Sequence, residues 1–122
     1  MTHRILRVLV IEDNADAADS LAEVVRTYGH EVEVAGDGPR AIAKAKERLP
    51  DLVLCDIGLP WLNGYQVAHL FRSDAKLRNV RLVAVTGYTD PEDVQRAREA
   101  GFVGHIAKPP DRSALEKYLL ES

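Results

Sequence analysis

Short apolar runs and amphipathic stretches alternate along the whole chain. Ile5 to Ile11 (ILRVLVI) is apolar and rich in branched residues apart from Arg7, and predicts a first strand. From Asp16 to Tyr28 the apolar positions Ala17, Leu21, Val24, Val25 and Tyr28 recur at steps of three and four, which predicts an amphipathic helix stopped by Gly29. Glu31 to Val34 alternates polar and apolar as a short edge strand does. Asp37, Gly38 and Pro39 then open a second helix through Leu49, with Ala41, Ile42, Ala45 and Leu49 facing inward. Leu52 to Cys55 is wholly apolar, the mark of a strand buried on both faces. A helix from about Tyr65 to Arg72 follows, with Val67, Ala68 and Phe71 inward, and then a strand from Leu82 to Thr86. Asp90 and Pro91 introduce a polar helix from Glu92 to Ala100, and Phe102 to Ala107 is the last strand. Asp111 caps a final helix with Leu115, Tyr118 and Leu119 inward.

Strands that alternate with helices in this way cannot form an antiparallel meander. Right-handed crossovers give an α/β fold, a parallel sheet with helices on both faces. The helix Glu92 to Ala100 has a thin apolar side, Val94, Ala97 and Ala100, so it is expected to be among the looser elements.

The residues at the C-terminal ends of the predicted strands are unevenly distributed. Strand one ends in Glu12 and Asp13, strand three in Asp56, strand four in Thr86 and strand five in Lys108, whereas strand two ends in Ala35 and Gly36. In open parallel sheets that edge is where ligands bind. Each of these residues has a plain structural reading: helix caps for Glu12 and Asp13, strand filler for Thr86, a surface lysine for Lys108. Their common position at one rim favours a site. Carboxylates converging near 4 Å repel by roughly 4 kcal/mol per ionised pair at an effective dielectric near 20, so positive charge must sit among them. Lys108 supplies one such charge. Hard carboxylate oxygens without a neighbouring histidine or thiolate suit Mg²⁺, which prefers to share a phosphate. Asp56 is then the candidate nucleophile for phosphoryl transfer, with an aspartyl phosphate as product.

Composition narrows the picture further. The chain has 122 residues, 46% of them hydrophobic, the size of one domain (1–122) with one core. Its formal charge of -3 comes from 16 basic and 19 acidic residues with no basic block, which argues against direct nucleic-acid or anionic-membrane binding. No long apolar segment opens the sequence, and a cytoplasmic location is expected. Cys55 is the only cysteine, so an internal disulfide is excluded and core packing is its expected role.

The ordered set VLVIEDN, LVLCDIGLPWLNGYQVA, VAVTGY and AGFVGHIAKPP resembles the receiver domains of two-component response regulators over essentially the whole chain. The resemblance implies a doubly wound, flavodoxin-like sheet of order 2-1-3-4-5 with five helices. It implies that Asp56 takes a phosphoryl group from a phosphohistidine on a sensor histidine kinase or histidine phosphotransfer protein, and that the domain then acts on a downstream partner. The protein is on this reading a phosphorylated switch rather than an enzyme. Asp13, Asp56 and the carbonyl of Gly58 would hold Mg²⁺ directly and Glu12 largely through water, while Thr86 and Lys108 would bind the phosphoryl oxygens. It also implies a cis Lys108-Pro109 bond, and a target-binding or dimerising face built from the Glu92 to Ala100 helix, the last strand and the last helix. Without an output domain, effects pass through another protein, and the segment is also similar to receivers within hybrid kinases.

Three positions carry this chain's own features. Thr86 moving towards Asp56 would vacate a space that family members fill with an aromatic side chain. Here that position is His105, which is either a switch or a partly exposed strand residue. Tyr88 is placed to shield a phosphoryl group from water, giving a long-lived phosphorylated state. Trp61, in the loop after Asp56, is either a partner contact or folded over its neighbours. A haloacid-dehalogenase phosphatase would need a second acid two residues after its nucleophile on the first strand, whereas Asp13 is followed by Asn14 and Ala15. A flavin carrier would need a Ser/Thr/Gly-rich phosphate loop where EDNADAAD stands. The alternative that remains is a receiver-like interaction scaffold that is not phosphorylated.

Overall fold

The first strand, β1 (Arg7–Ile11), is an interior strand of the one sheet among the described residues, paired with β2 (Glu31–Ala35) on one side and β3 (Leu52–Asp56) on the other. The computed structural model describes residues 4–120. β4 (Arg81–Thr86) and β5 (Gly104–Ala107) complete a five-stranded sheet in the order β2-β1-β3-β4-β5, every neighbouring pair parallel. The helices between them are α1 (Ala15–Thr27), α2 (Gly38–Glu47), α3 (Gly64–Ser73) and α4 (Pro91–Ala100), and α5 (Arg112–Leu119) follows the last strand. The doubly wound α/β topology expected from the motifs is the one observed.

Period-two alternation sends successive side chains of the central strands to opposite faces, and each face has its own core. Val8 and Val10 of β1 pack with Ala18, Leu21 and Val25 of α1 and with Leu115 and Leu119 of α5. Leu9 and Ile11 pack with Ala41 and Ala45 of α2, with Val67, Ala68 and Phe71 of α3, and with Ala97 of α4. Cys55 is in this second core, 1% exposed, and burial followed by the neighbouring Asp56 charge pushes its thiol pKa well above the usual range. It is an inert packing residue.

Helix starts follow the capping chemistry. The side chains of Asn14, Asp37 and Asp111 accept the N–H groups of Ala17, Arg40 and Ser113, and Asn63 with Gln66 forms a reciprocal capping box. Asp90 occupies the cap position of α4, but its side chain makes no capping bond there.

Several expectations need correction. Ile5 and Leu6 precede β1: Ile5 is 61% exposed, and Leu6, though buried, is tied by its N–H to His30 Nδ1 at 3.0 Å. The buried stripe of α1 is Ala18, Leu21, Ala22 and Val25, so Ala17 faces solvent; alanines one position apart fit either phase of the pattern. Leu49 lies past the end of α2 and is 52% exposed, because Pro50 disfavours helical backbone at the residue before it. Phe102 and Val103 are not in β5. Phe102 N–H instead closes the end of α4 on Ala97 O at 3.0 Å, and Val103 is 62% exposed.

Two polar anchors, His30 buried and Arg72 half-buried, had no sequence signal. His30 is 5% exposed, and its Nε2 lies 2.7 Å from Leu119 O while Nδ1 accepts from Leu6, so one ring ties the start of β1 to the end of α5. Arg72, at the end of α3, donates to Arg78 O and Val80 O, each at 2.7 Å, and to Gly101 O. It thereby fastens the C-terminal end of α4, where Gly101 takes φ 113.

Candidate phosphoacceptor site

Register decides which strand-end residues meet. Ile11 is level with Cys55, so Glu12 and Asp13, just past β1, stand beside Asp56 at the end of β3. Carboxylate oxygens of Glu12, Asp13 and Asp56 all lie within 4.8 Å of one another. Glu12 is buried, Asp56 half-buried and Asp13 exposed. Lys108 reaches in from the end of β5, with Nζ 2.6 Å from Glu12 Oε1 and 3.2 Å from Asp56 Oδ2. Its backbone is set by a bond from its N–H to Thr86 O at 2.9 Å and by the cis Lys108-Pro109 peptide.

The second oxygens are also engaged. Glu12 Oε2 accepts the Asn14 N–H at 3.0 Å, and Asp56 Oδ1 accepts the Gly58 N–H at 3.1 Å. Asn14 thus caps α1 with its side chain and orients Glu12 with its backbone. That second role was missed in the sequence, though an asparagine directly after an acidic pair and before a helix is its signal. Partial burial lowers the pKa of Lys108, but the hydrogen bond to Glu12 and the charges of Asp56 and Glu12 outweigh it, so the net shift is upward. One ammonium against three carboxylates still leaves a negative excess. The hard oxygen donors and the exposed Asp13 fit a divalent cation that keeps part of its water shell.

Thr86 is 3% exposed, and its Oγ1 accepts the Tyr88 N–H at 3.0 Å. The Tyr88 ring itself is 61% exposed, so its backbone rather than its ring meets Thr86. His105 pairs in register with Ala84, and Thr86 with Ala107, which puts His105 and Thr86 on the same face of the sheet. His105 is half-buried and its Nε2 is buried without a hydrogen-bond partner. Beside Glu12 and Lys108 opens a cavity of about 490 Å³ between α1 and the turn at Pro109 and Pro110, with Leu21, Val24, Val85 and Leu115 among its lining.

With this geometry in place, comparison with known proteins is decisive. The sequence model of the response regulator receiver domain matches residues 8–120. The chain belongs to that family. As a receiver domain it is 40% identical over 103 residues to the DNA-binding response regulator MtrA of Mycobacterium tuberculosis, with 84% of this chain and 44% of MtrA covered. The chain therefore spans less than half the length of that relative. Among solved structures, Vibrio cholerae chemotaxis protein CheY4 superposes with a TM-score of 0.89 at 27% identity, covering 95% of this receiver domain and 97% of CheY4. The receiver domain of a Pseudomonas aeruginosa sensor histidine kinase, solved with magnesium ion coordinated in the active site cleft, superposes with a TM-score of 0.86 at 28% identity over 95% of each chain.

Proposed function

We propose that Asp56 accepts a phosphoryl group from a phosphohistidine on a sensor histidine kinase or histidine phosphotransfer protein. The observation that carries this reading is the convergence of Glu12, Asp13 and Asp56 within 4.8 Å, with Lys108 bridging Glu12 and Asp56. In the reaction an Asp56 carboxylate oxygen bonds to phosphorus, the P–N bond breaks, and its electron pair returns to the imidazole of the donor. Asp13, Asp56 and the carbonyl of Gly58, with Glu12 largely through water, would hold Mg²⁺, which when bound would supply positive charge to the phosphoryl oxygens.

The chain's own residues do the remainder. Lys108 turns from Asp56 to a phosphoryl oxygen while Glu12 keeps hold of its ammonium. The Thr86 hydroxyl donates to a second oxygen, which draws Thr86 towards Asp56 and alters the β4–α4 turn that its Oγ1 now fixes through Tyr88 N–H. His105, on the same face and with no hydrogen bond at its buried Nε2 to break, follows. The altered face is read by a downstream protein, so that the domain acts as a switch rather than as a turnover catalyst. The apolar cavity beside Glu12 and Lys108 offers a protein donor a surface next to the acceptor.

The test is incubation with phosphoramidate and Mg²⁺, followed by intact mass of the wild type and of Asp56→Asn. One phosphoryl adduct is expected on the wild type and none on the variant. An adduct that survives the substitution, or a wild type that stays unmodified, overturns the assignment.

A further inference from the structure

Trp61 is the chain's only tryptophan, it is 82% exposed, and it sits five residues after Asp56 in the β3–α3 loop. Its backbone is at φ 64, at the centre of a three-residue turn closed by Leu62 N–H to Pro60 O at 2.8 Å. Such turns are rare and strained, and for a bulky side chain a positive φ is an outlier. Glycine would make the same turn without strain. The fold therefore gains nothing from this residue, since its backbone is unfavourable and its ring is not buried.

The turn is also firmly placed. Leu59 is 7% exposed, Leu62 packs against the core, Gly64 N–H bonds to Ile57 O at 2.7 Å, and the Asn63–Gln66 capping box closes the loop. The two leucines turn inward and hold the indole outward on a fixed support. A large aromatic side chain presented in this way loses little freedom when a partner covers it, which is the character of a binding hot spot.

We propose that Trp61 is the aromatic anchor of the contact with the phosphohistidine-bearing donor protein, an inference that rests on the function proposed above. The donor is the occupant because it has a geometric obligation. The Asp56 side chain is only 12% exposed, so a protein that brings its phosphorus to this carboxylate must cover the rim of the site, and the loop that carries Trp61 is part of that rim, leaving β3 directly after Asp56 with Gly58 N–H bonded to Asp56 Oδ1 at 3.1 Å. A downstream target has no such constraint.

The test compares a donor without a protein surface with one that has it. Phosphoramidate with Mg²⁺ is the first. For the second, the histidine phosphotransfer proteins and kinase phosphotransfer domains of the source organism are phosphorylated on histidine, and the fastest donor to the wild type is carried forward. Trp61→Gly relieves the turn, Trp61→Phe keeps an aromatic ring, and thermal midpoints check that both fold. With the protein donor, Trp61→Gly should lose roughly 30-fold in kcat/KM, through KM, and Trp61→Phe should recover most of it. All three proteins should react equally with phosphoramidate, and the indole emission of the wild type should move to the blue when the donor protein is added. Equal kcat/KM with the protein donor, losses in both arms, or a wild type that takes phosphate from phosphoramidate but from no protein donor would each overturn the proposal. Failure of phosphoramidate to label Asp56 at all would instead count against the underlying function, and this inference would fall with it.

Discussion

Replacing Lys108 by Met removes the ammonium while keeping most of the side-chain volume, and its cost follows from the site geometry. At separations of 2.6 and 3.2 Å, and an effective dielectric near 20, the attractions to Glu12 and Asp56 are each roughly 5–6 kcal/mol before desolvation is subtracted. Desolvation of the ammonium and of two largely buried acids cancels most of this, and breaking a buried pair from one side costs about 3–5 kcal/mol net. Since the Lys108 side chain retains 31% exposure, the lower end, about 3 kcal/mol, is the better expectation. For a chain of 122 residues that is a fall of roughly 10 °C in thermal midpoint. Mg²⁺ should restore much of the difference, because a divalent ion can replace the missing charge, and the variant should gain more from Mg²⁺ than the wild type does. The assay is urea unfolding at neutral pH with and without Mg²⁺. A variant as stable as the wild type in the absence of metal, or an identical Mg²⁺ increment in both proteins, would refute the charge balance argued here. The pH dependence has a definite sign. Because the Lys108 pKa is raised in the folded protein, the pairing contributes fully below the unfolded lysine value of about 10.4 and is lost as pH rises through the higher folded value. Wild type and variant should therefore converge only at strongly alkaline pH.

Three further predictions concern other parts of the frame. His30→Leu leaves Leu6 N–H and Leu119 C=O without their imidazole partner and should cost about 2–4 kcal/mol in chemical denaturation, with hydrogen exchange quickened at Leu6 and in α5. Gly64→Ala puts a Cβ 2.6 Å from Ile57 Cα and 2.8 Å from Asp56 O, where backbone must move; it should lower stability by about 2 kcal/mol or more and weaken Mg²⁺ binding measured by Trp61 fluorescence. Tyr88→Ala tests the shielding role directly: if the ring folds over the phosphoryl group, the variant's aspartyl phosphate hydrolyses several-fold faster, and an unchanged rate removes that role.

The sequence exposed what depends on period and position. The runs VLVI, LVLC and LVAV are buried on both faces and could hardly be anything but central parallel strands, and the residues directly after them had to share one rim once the sheet was parallel. Glu12, Asp13, Asp56, Thr86 and Lys108 could be placed for that reason. Contacts that depend on the exact course of long side chains were hidden. Nothing in the pattern shows that Lys108 is nearer to Glu12 than to Asp56, that Arg72 reaches carbonyls of the α3–β4 loop and Gly101, or that Tyr118 lies against Gly104. Phase errors fell where side chains are small or the chain leaves a helix: Ala17 against Ala18, and Leu49 before Pro50.

Arg72 makes α4 a lever with one fixed end. Its guanidinium ties the helix to the rest of the molecule at Gly101, whereas the opposite end, with no side-chain cap from Asp90, begins only a few residues beyond Thr86. A small displacement of that threonine would then swing the near end of the rod and leave the far end in place. Exchange of the hydrogen-bonded amides of α4 should grade accordingly, fastest at Val94 and slowest towards Ala100, and Arg72→Met should flatten that gradient by freeing the fulcrum.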